Sequence, residues 1–283
     1  PQSIDDMGDK ERARLLAIRA GVPVLPGSAR FTPDNRHGLA AAAEAVGYPL
    51  LVKAAAGGGG IGMRRVERSE ELEKTVVATQ ALAAKAFADS AVYLERVIEP
   101  ARHIEIQVFG FGDGRAVHMF ERECSIQRRF QKIVEESPSP GITNETRQAM
   151  ATAAVALAAQ ERYVGAGTIE FVADQAGNFY FLEMNTRIQV EHPVTEMTTG
   201  LDLVELQIRL ARGGDLSDLT QARIAASGHA IECRIYAENP ARNFLPSPGP
   251  LTVFEPPTGF TGIRIDSGVR QGDKIPFHYD PMI

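Results

Sequence analysis

The sequence predicts an α+β fold in which a small lobe precedes a larger mixed α/β lobe that contains an antiparallel sheet. A strand over 48–53 that enters four consecutive glycines, with helical segments on both sides, indicates the small lobe. Alternation of polar and apolar residues over 103–108 indicates a half-buried strand of the larger lobe. Turn signals at 112–114 and 177–178 indicate hairpins, whose strands run antiparallel.

The small lobe is predicted from helical and extended segments in the first third of the chain. Good helix formers with helical periodicity predict helices over 6–20, 33–46 and 69–87, and apolar runs predict strands over 48–53 and 91–97. Gly21 and Pro23 end the first helix. We therefore expect residues 1–24 to be a linker helix and residues 25–97 to form the small lobe.

The larger lobe is predicted over 98–283. Strands are expected over 103–108, 167–172 and 179–183, and helices over 144–162 and 201–211. From His229 onward the sequence mixes short strands with turns rich in proline and glycine.

The composition excludes several classes of function. The chain has 283 residues and a net charge of −6, so neither nucleic acid nor an acidic membrane is an expected partner, and bound phosphate must be held by local groups. Cys124 and Cys233 form no CxxC pattern, which predicts neither a disulfide framework nor a structural zinc site.

The ends of the chain and its hydropathy bear on its location. No apolar stretch approaches the roughly 18–20 residues that cross a bilayer, and the N-terminus is not typical of a signal or transit peptide. We expect a cytoplasmic protein, or one of the mitochondrial matrix if the source is eukaryotic. Because the chain begins without Met and stops at 279–283 with no closing element, we expect it to be an internal piece of a longer protein.

A hairpin closed at Ala176-Gly177 is predicted to place Glu170 opposite Glu183. Directly opposed side chains lie about 4.5–5.5 Å apart at their β-carbons, and like charges at that distance are destabilising. A compensating cation is therefore expected, and Mg²⁺ typically binds one or two carboxylates together with substrate phosphates. A one-residue shift of register remains the alternative.

Polar residues continue at every second position after this hairpin. They are Glu183, Asn185, Arg187, Gln189 and Glu191. In an extended chain they would project to one face, where they offer metal ligands, a clamp for an anion and a base. A solvated strand face is the alternative.

Lys53 ends an apolar strand just before the glycine run over 57–60. Glycine allows the backbone N–H groups to approach and cradle a phosphate, and lysine supplies a point charge for it. The loop is not a Walker A motif, because no Gly-Lys-Ser/Thr follows. A flexible linker is the alternative interpretation.

Several segments, taken in order, resemble one enzyme family. They are Met7–Lys10, Tyr48–Lys53 with the glycine loop that ends at Met63, Arg102–Val108, Cys124–Arg129, Gln131–Glu136, Glu183–Glu196, Phe244–Gly249 and Tyr279–Ile283. Together they resemble the ATP-grasp fold and, within it, the biotin carboxylases, over nearly the whole chain. The resemblance implies that 1–24 is a linker helix from a missing N-terminal domain, that 25–97 is the lid (B) subdomain and that 98–283 is the core with the start of a truncated C-terminal domain.

The resemblance also implies a nucleotide site. It assigns ATP binding to Lys10, Lys53, Gly59, Gly60, Glu95, Arg96, Ile98, His103 and Gln127. Glu95 would accept a hydrogen bond from the adenine amino group, with Arg96 and Ile98 beside it. Phe130 stands where many relatives carry His, so a polar contact to the nucleotide is lost there.

The remaining roles implied by the resemblance concern metal, bicarbonate and biotin. It assigns the metal to Glu170, Glu183 and Asn185, bicarbonate to Arg187, Gln189 and the Val190 backbone, catalysis to Arg187, Glu191, Lys132 and Arg264, and biotin to Arg264. Glu191 would deprotonate bicarbonate, and Lys132 would orient bicarbonate or the phosphoryl group. Arg264 would stabilise the biotin enolate.

The implied activity is ATP-dependent carboxylation of biotin with bicarbonate through carboxyphosphate, the first half-reaction of a biotin-dependent carboxylase. It requires ATP and Mg²⁺ or Mn²⁺. No Met-Lys-Met biotinylation motif is present, so biotin would arrive on a separate subunit or domain. A biotin carboxyl carrier domain, a carboxyltransferase and a homodimer or larger holoenzyme are the implied partners. The alternatives are another ATP-grasp carboxylate–amine ligase and a non-catalytic assembly domain.

Overall fold

The computed structural model describes residues 2–56 and 62–283. Over these residues the chain divides into two compact units, Pro1–Glu232 and Cys233–Ile283. The finer division at residues 24 and 97 falls within the first unit and stays a prediction. Among the helices of the described residues, none has the length and apolar character needed to cross a membrane.

The first unit begins with a small α/β arrangement. Its elements are α1 (Gln2–Gly8), α2 (Lys10–Arg19), α3 (Leu39–Val46), β1 (Leu50–Ala54), β2 (Met63–Val66), α4 (Ser69–Phe87) and β3 (Val92–Arg96). In the described part, the strands form an antiparallel sheet in the order β2-β1-β3. Val52 and Leu94 pack with Val76 of α4 in a separate hydrophobic cluster, which fixes the strand that carries Lys53.

Two of the predicted helices have different bounds. The helix expected over 6–20 divides at Asp9, whose side chain accepts hydrogen bonds from the backbone N–H groups of Glu11 and Arg12 and so caps α2. The helix expected over 33–46 begins only at Leu39, because Thr32 and Asn35 exchange backbone hydrogen bonds across a turn that includes Pro33.

A larger sheet follows in the chain. Its strands are β4 (Ala101–Phe111), β5 (Ala116–Arg128), β6 (Gln131–Ser137), β7 (Val164–Asp174), β8 (Phe179–Asn185) and β9 (Ala230–Cys233), and its helices are α5 (Asn144–Gln160), α6 (His192–Thr199) and α7 (Leu203–Ala211). Over the described residues the strand order is β8-β7-β4-β5-β6-β9. The strands β5 and β6 and the helix α6 were not predicted.

The two faces of strand β4 differ in character. Ile104 and Ile106 pack with Met150 and Leu157 of α5 in the main apolar core. Because successive side chains of a strand alternate between faces, Glu105 and Gln107 project to the opposite face, and both are fully buried. The prediction of a half-buried strand over 103–108 was therefore wrong, since β4 lies inside the sheet and both of its faces are covered.

The second unit is built from short elements. Two-residue strands pair as β10 (Glu238–Asn239) with β11 (Leu245–Pro246), and as β12 (Gly249–Pro250) with β13 (Lys274–Ile275). Most of this unit consists of turns and irregular chain, as its proline- and glycine-rich sequence predicts.

Candidate active site

The β7–β8 hairpin places two carboxylates side by side. Glu170 pairs directly with Glu183 in the antiparallel register, as the sequence predicts. The Asp174 side chain closes the turn by accepting hydrogen bonds from the backbone N–H groups of Ala176 and Asn178, both at 2.9 Å. This local capping sets the turn and the register of the pairs beside it, from Ala173–Phe179 to Phe171–Phe181, and a β-bulge between Glu170 and Phe171 then brings Glu170 opposite Glu183.

The ammonium group of Lys132, on β6, lies among three carboxylates. Its Nζ donates to Glu105 Oε2 at 2.5 Å, to Glu191 Oε1 at 2.7 Å and to Glu170 Oε1 at 2.8 Å. Burial would lower the pKa of Lys132, but the carboxylates, Glu105 and Glu170 foremost, outweigh it and raise the pKa. Lys132 is therefore a permanent cation that joins β4, β7 and the start of α6.

Both carboxylate oxygens of Glu170 have partners. Oε1 accepts from Asn185 Nδ2 at 2.9 Å and from Gln189 Nε2 at 3.0 Å in addition to Lys132, and Oε2 lies 2.8 Å from His103 Nε2. Burial would raise the pKa of Glu170, but the adjacent His103 ring and the charge of Lys132 hold the pKa well below its ordinary value. Lys132 and His103 thus supply part of the compensation that the opposed glutamates require.

The His103 ring is held between two side chains. Its Nδ1 lies 3.0 Å from Gln127 Nε2, and the same amide nitrogen donates to the Cys124 carbonyl at 2.7 Å. Burial would lower the pKa of His103, and the adjacent Glu170 carboxylate raises it overall. The predicted nucleotide residues His103 and Gln127 are therefore in contact with each other and, through His103, with the predicted metal ligand Glu170.

The predicted extended row from Glu183 to Glu191 was wrong in its second half. Strand β8 ends at Asn185, the chain then turns, and Glu191 is the N-cap residue of α6, which begins at His192. The turn brings Gln189 and Glu191 inward, with exposed fractions of 6% and 2%. Residues 186–191 form this turn in place of the extended row, and α6 follows with Pro193 in its first turn, where proline's fixed backbone angle is suitable.

Arg187 and Val190 lie on the open side of this turn. Both are exposed, and the Arg187 guanidinium donates to Asn185 Oδ1 and to the Ile188 carbonyl, each at 3.2 Å. These contacts are long, so the guanidinium can exchange them for an incoming anion without breaking a buried ion pair.

Lys53 and Glu95 form an ion pair in the small sheet. Lys53 Nζ lies 2.5 Å from Glu95 Oε1, and β1 and β3, which carry them, are neighbours. Burial would lower the pKa of Lys53, but Glu95 and Tyr93 raise it, and burial raises the pKa of Tyr93 to about 12. Burial, followed by repulsion from Lys53, lowers the pKa of Lys10.

A cavity of about 240 Å³ adjoins these groups, and Lys10, Tyr93, Glu95, Phe181 and Leu182 are among the residues that line it. Of the residues predicted to contact phosphate or adenine, Lys10 and Glu95 therefore line one cavity, with apolar side chains beside their charges. Such a combination is typical of a nucleotide pocket.

The other predicted residues are placed as follows. Gly59 and Gly60 lie outside the described residues. Arg96 is exposed, with its guanidinium against Gly47, and Ile98 is half-buried between β3 and β4. Arg264 belongs to the second unit, where it pairs with Asp266 at 2.9 Å.

Two buried residues of the site were missed from the sequence, Glu105 and Arg122. Their side chains are fully buried and form an ion pair at 2.6 Å. Glu105 lies in the strand that was predicted to be half-buried, and Arg122 lies in the strand after the predicted turn at 112–114, for which no bounds were predicted. A charged residue in the alternating run over 103–108 was the available signal, because a buried polar face needs charged partners on a neighbouring strand.

Comparison with known proteins gives two family matches. The model described as "Carbamoyl-phosphate synthase L chain, ATP binding domain" matches residues 9–219. The model described as "Biotin carboxylase C-terminal domain" matches residues 232–283.

Similar individual proteins carry carboxylase names. The chain is 51% identical over 280 residues to one of the pyruvate carboxylase subunits of Methanothermobacter thermautotrophicus, covering 99% of this chain and 56% of that protein. It is 50% identical over 283 residues to biotin carboxylase of Nostoc sp., covering 100% of this chain and 63% of that protein. The chain thus spans only part of the length of the curated relatives that it matches.

A solved structure shows the same fold. The biotin carboxylase domain dimer of Hydrogenobacter thermophilus 2-oxoglutarate carboxylase, in complex with MgADP, ADP and bicarbonate, superposes with a TM-score of 0.93 at 46% identity. The match covers 100% of this chain and 62% of that one.

Proposed function

This chain belongs to the family of carbamoyl-phosphate synthase L chain ATP-binding domains and has the ATP-grasp fold of the biotin carboxylases, and from this premise we propose that the protein carboxylates biotin with ATP and bicarbonate. The reaction passes through carboxyphosphate and is the first half-reaction of a biotin-dependent carboxylase. It is a ligase reaction.

One observation carries the proposal, the convergence of Glu105, Glu170 and Glu191 on Lys132 within 2.8 Å. The ammonium fixes the three carboxylates in place, and a carboxylate is a group that can accept a proton. Of the three, Glu191 lies closest in the chain to the exposed Arg187 and Val190. This arrangement suits deprotonation of a small anion at the edge of a phosphate-binding site.

Bicarbonate is activated by the segment before α6. Arg187 offers a planar guanidinium that can bind it through two parallel hydrogen bonds, and Gln189 and the Val190 backbone complete the site. Glu191 takes the bicarbonate proton, which makes the remaining anion a better nucleophile. An oxygen of that anion attacks the γ-phosphorus, the bond to the β-phosphate oxygen breaks, and carboxyphosphate and ADP form, while Lys132 offsets the developing charge.

The nucleotide is held by the remaining assigned residues. Lys10 and Lys53 bind phosphate oxygens, Glu95 accepts from the adenine amino group with Arg96 and Ile98 beside it, and His103 and Gln127 face the ribose region. Gly59 and Gly60 cover the triphosphate. The cavity beside Lys10 and Glu95, and the ion pair between Lys53 and Glu95, support this assignment.

The residues present fit Mg²⁺ or Mn²⁺. Glu170 and Glu183 face each other across β7 and β8. Asn185, two positions further along β8, contacts Glu170 at 2.9 Å. These three residues would hold the ion, which when bound would neutralise phosphate charge.

Biotin is carboxylated in the second step. Carboxyphosphate separates into CO₂ and phosphate, the phosphate takes the proton from biotin N1′, and the resulting enolate attacks CO₂. Arg264, a permanent cation, stabilises the enolate oxygen. Biotin reaches the site on a separate subunit or carrier domain, and the carboxyl group passes to a carboxyltransferase.

The setting of the protein follows from its relatives. Those relatives include subunits of pyruvate and methylcrotonoyl-CoA carboxylases, so we propose that this chain also acts in a multi-component carboxylase, as a homodimer or a larger assembly. We propose a cytoplasmic location, or the mitochondrial matrix in a eukaryote.

Phosphate release from ATP by the full-length protein tests the proposal. It is measured with Mg²⁺ and bicarbonate, with and without free biotin. Release that rises on addition of biotin and requires bicarbonate is the expected result. Hydrolysis that is indifferent to biotin would instead favour a carboxylate–amine ligase, and a screen of amine acceptors would follow. Binding of ATP with no hydrolysis under any condition would favour a non-catalytic domain.

A further inference from the structure

The guanidinium of Arg122, on β5, joins several elements around the site. Its side chain is 0% exposed. Nε donates to Glu105 Oε1 at 2.6 Å, Nη1 to Gln107 Oε1 at 2.7 Å and to Thr195 Oγ1 at 2.9 Å, and Nη2 to Thr168 Oγ1 at 3.1 Å and to Gln189 Oε1 at 3.2 Å. These acceptors belong to β4, β7, the turn before α6 and α6 itself, so one side chain connects the sheet to the bicarbonate segment.

Arg122 determines which way the Gln189 amide points. A guanidinium has only donors, so the oxygen of the amide must face it and the NH₂ group must face away. Accordingly, Gln189 Nε2 donates to Glu170 Oε1 at 3.0 Å. A reversed amide would place two donors against each other and an oxygen against a carboxylate.

Arg122 also determines how Glu105 shares its charge. Glu105 Oε1 faces Arg122, and Oε2 faces Lys132 at 2.5 Å. Without Arg122, the Glu105 carboxylate would lose one cationic partner and would attract Lys132 more strongly. Lys132 also donates a hydrogen bond to Glu191 at 2.7 Å. Lys132 would then move toward Glu105 and weaken its contact with the base.

We propose that Arg122 is a positioning residue of the bicarbonate site, which orients the Gln189 amide and keeps Lys132 centred between Glu105 and Glu191. The inference rests on the proposed function, because it concerns that same site. Arg122 touches no reacting atom, since its five donors are all occupied by protein oxygens.

The alternative is that Arg122 only stabilises the fold as a buried ion pair. The chain offers a matched control for that role. Arg147 pairs with the buried Glu121 of β5 at 2.6 Å and contacts none of the site residues. Arg122→Lys and Arg147→Lys make the same chemical change to two arginine–glutamate pairs that involve one strand.

The experiment measures biotin-dependent phosphate release by the full-length wild type and both variants as a function of bicarbonate concentration and pH. Groups that orient others in a site commonly contribute about 10–100-fold. For Arg122→Lys we expect kcat/KM for bicarbonate to fall by about that factor, with the Kd for ATP within about threefold of the wild type. Its pH profile should shift its acid limb to higher pH, because a lysine cannot reach all five acceptors and therefore lowers the pKa of Glu105 less than Arg122 does.

Arg147→Lys should leave the pH profile and kcat/KM for bicarbonate unchanged. Equal losses in both variants, or parallel losses in ATP binding and bicarbonate use without a shifted pH profile, would overturn the inference in favour of a purely structural role.

If Arg122→Lys does not fold, two less disruptive threonine variants provide the test. Thr195→Val removes one acceptor of Arg122 with little change of shape, and Thr198→Val removes a hydroxyl of the same helix that contacts only backbone carbonyls. We expect a loss of about 3–10-fold in kcat/KM for bicarbonate for Thr195→Val alone. Indistinguishable variants would refute the inference. A wild type without biotin- and bicarbonate-dependent turnover would refute the proposed function instead, so the two failures are separable.

Discussion

Replacing Lys132 with Met should remove the cation on which three buried carboxylates depend. The Nζ–Oε distances are 2.5, 2.7 and 2.8 Å. Two unit charges about 4 Å apart interact by about 4 kcal/mol at an effective dielectric constant near 20, and desolvation offsets much of that. Breaking one partner out of a buried ion pair costs about 3–5 kcal/mol. We expect the free energy of unfolding to fall by that amount near neutral pH.

The pH dependence of stability should also change sign. In the wild type, burial alone would raise the pKa values of Glu105 and Glu170, but their charged partners hold both pKa values below the ordinary value. These groups therefore stabilise the fold above the pKa of the unfolded chain, and that stability is lost as the pH falls through the folded pKa. In the variant, repulsion among the carboxylates that Lys132 had joined raises the pKa of one of them. The free energy of unfolding then falls as the pH rises, by about 1.4 kcal/mol per pH unit for each proton.

Urea unfolding between about pH 3 and pH 8 measures both effects, because the wild-type loss lies below the ordinary glutamate pKa of about 4.3 and the loss in the variant lies above it. Circular dichroism is the suitable signal, because the sequence contains no tryptophan. Lys74→Met, on the exposed face of α4, serves as the control and should behave as the wild type. A Lys132→Met protein with wild-type stability near pH 8 and a wild-type pH dependence would refute the electrostatic account of this cluster.

Two further predictions concern the proposed reaction. Glu191→Gln or Arg187→Ala should lower biotin-dependent phosphate release by at least about 10²-fold, because the base or the anion-binding guanidinium is lost. Calorimetry should show that both variants bind ATP within a few-fold of the wild type. Near-normal turnover by either variant would contradict the assignment. Lys53→Ala and Lys10→Met should each weaken ATP binding by about 10–100-fold. Lys53→Ala should lower the free energy of unfolding, because it leaves Glu95 buried without its partner. Lys10→Met should raise the free energy of unfolding, because burial and repulsion from Lys53 disfavour the charge of Lys10. Thermal unfolding without nucleotide checks the second prediction, and shifts of the same sign would count against it.

Local signals predicted the elements that local chemistry determines. The bounds of α4 at Ser69 and Phe87 agree with the helical pattern, which has acidic residues in its first turn. The β7–β8 hairpin follows from a turn that Asp174 closes through its own side chain, although the β-bulge that places Glu170 opposite Glu183 has no such local signal. In both places the decisive interactions lie within a few residues of each other, so they can be recognised in the sequence.

Long-range contacts account for what was missed. Alternation over 183–191 continues beyond the point where the strand ends, and only the folded chain shows that Gln189 and Glu191 turn inward to Arg122 and Lys132. The depth of Glu105 depends on the strand order β7-β4-β5, which no pattern within β4 encodes. The resemblance to a family named Lys132, Glu170 and Glu191 together, but it did not identify Arg122, whose partners are spread over distant parts of the chain.

The pairing of Lys53 with Glu95 has a consequence for which anions the protein admits. Under the proposed assignment, a free phosphate or sulfate ion that draws Lys53 away leaves a carboxylate buried without a partner, at a cost of about 1–3 kcal/mol. ATP would replace the partner of each residue, because its phosphates bind the lysine and its adenine amino group donates a hydrogen bond to the glutamate. Under that assignment, the pair favours binding of nucleotides over binding of the inorganic phosphate that the reaction releases.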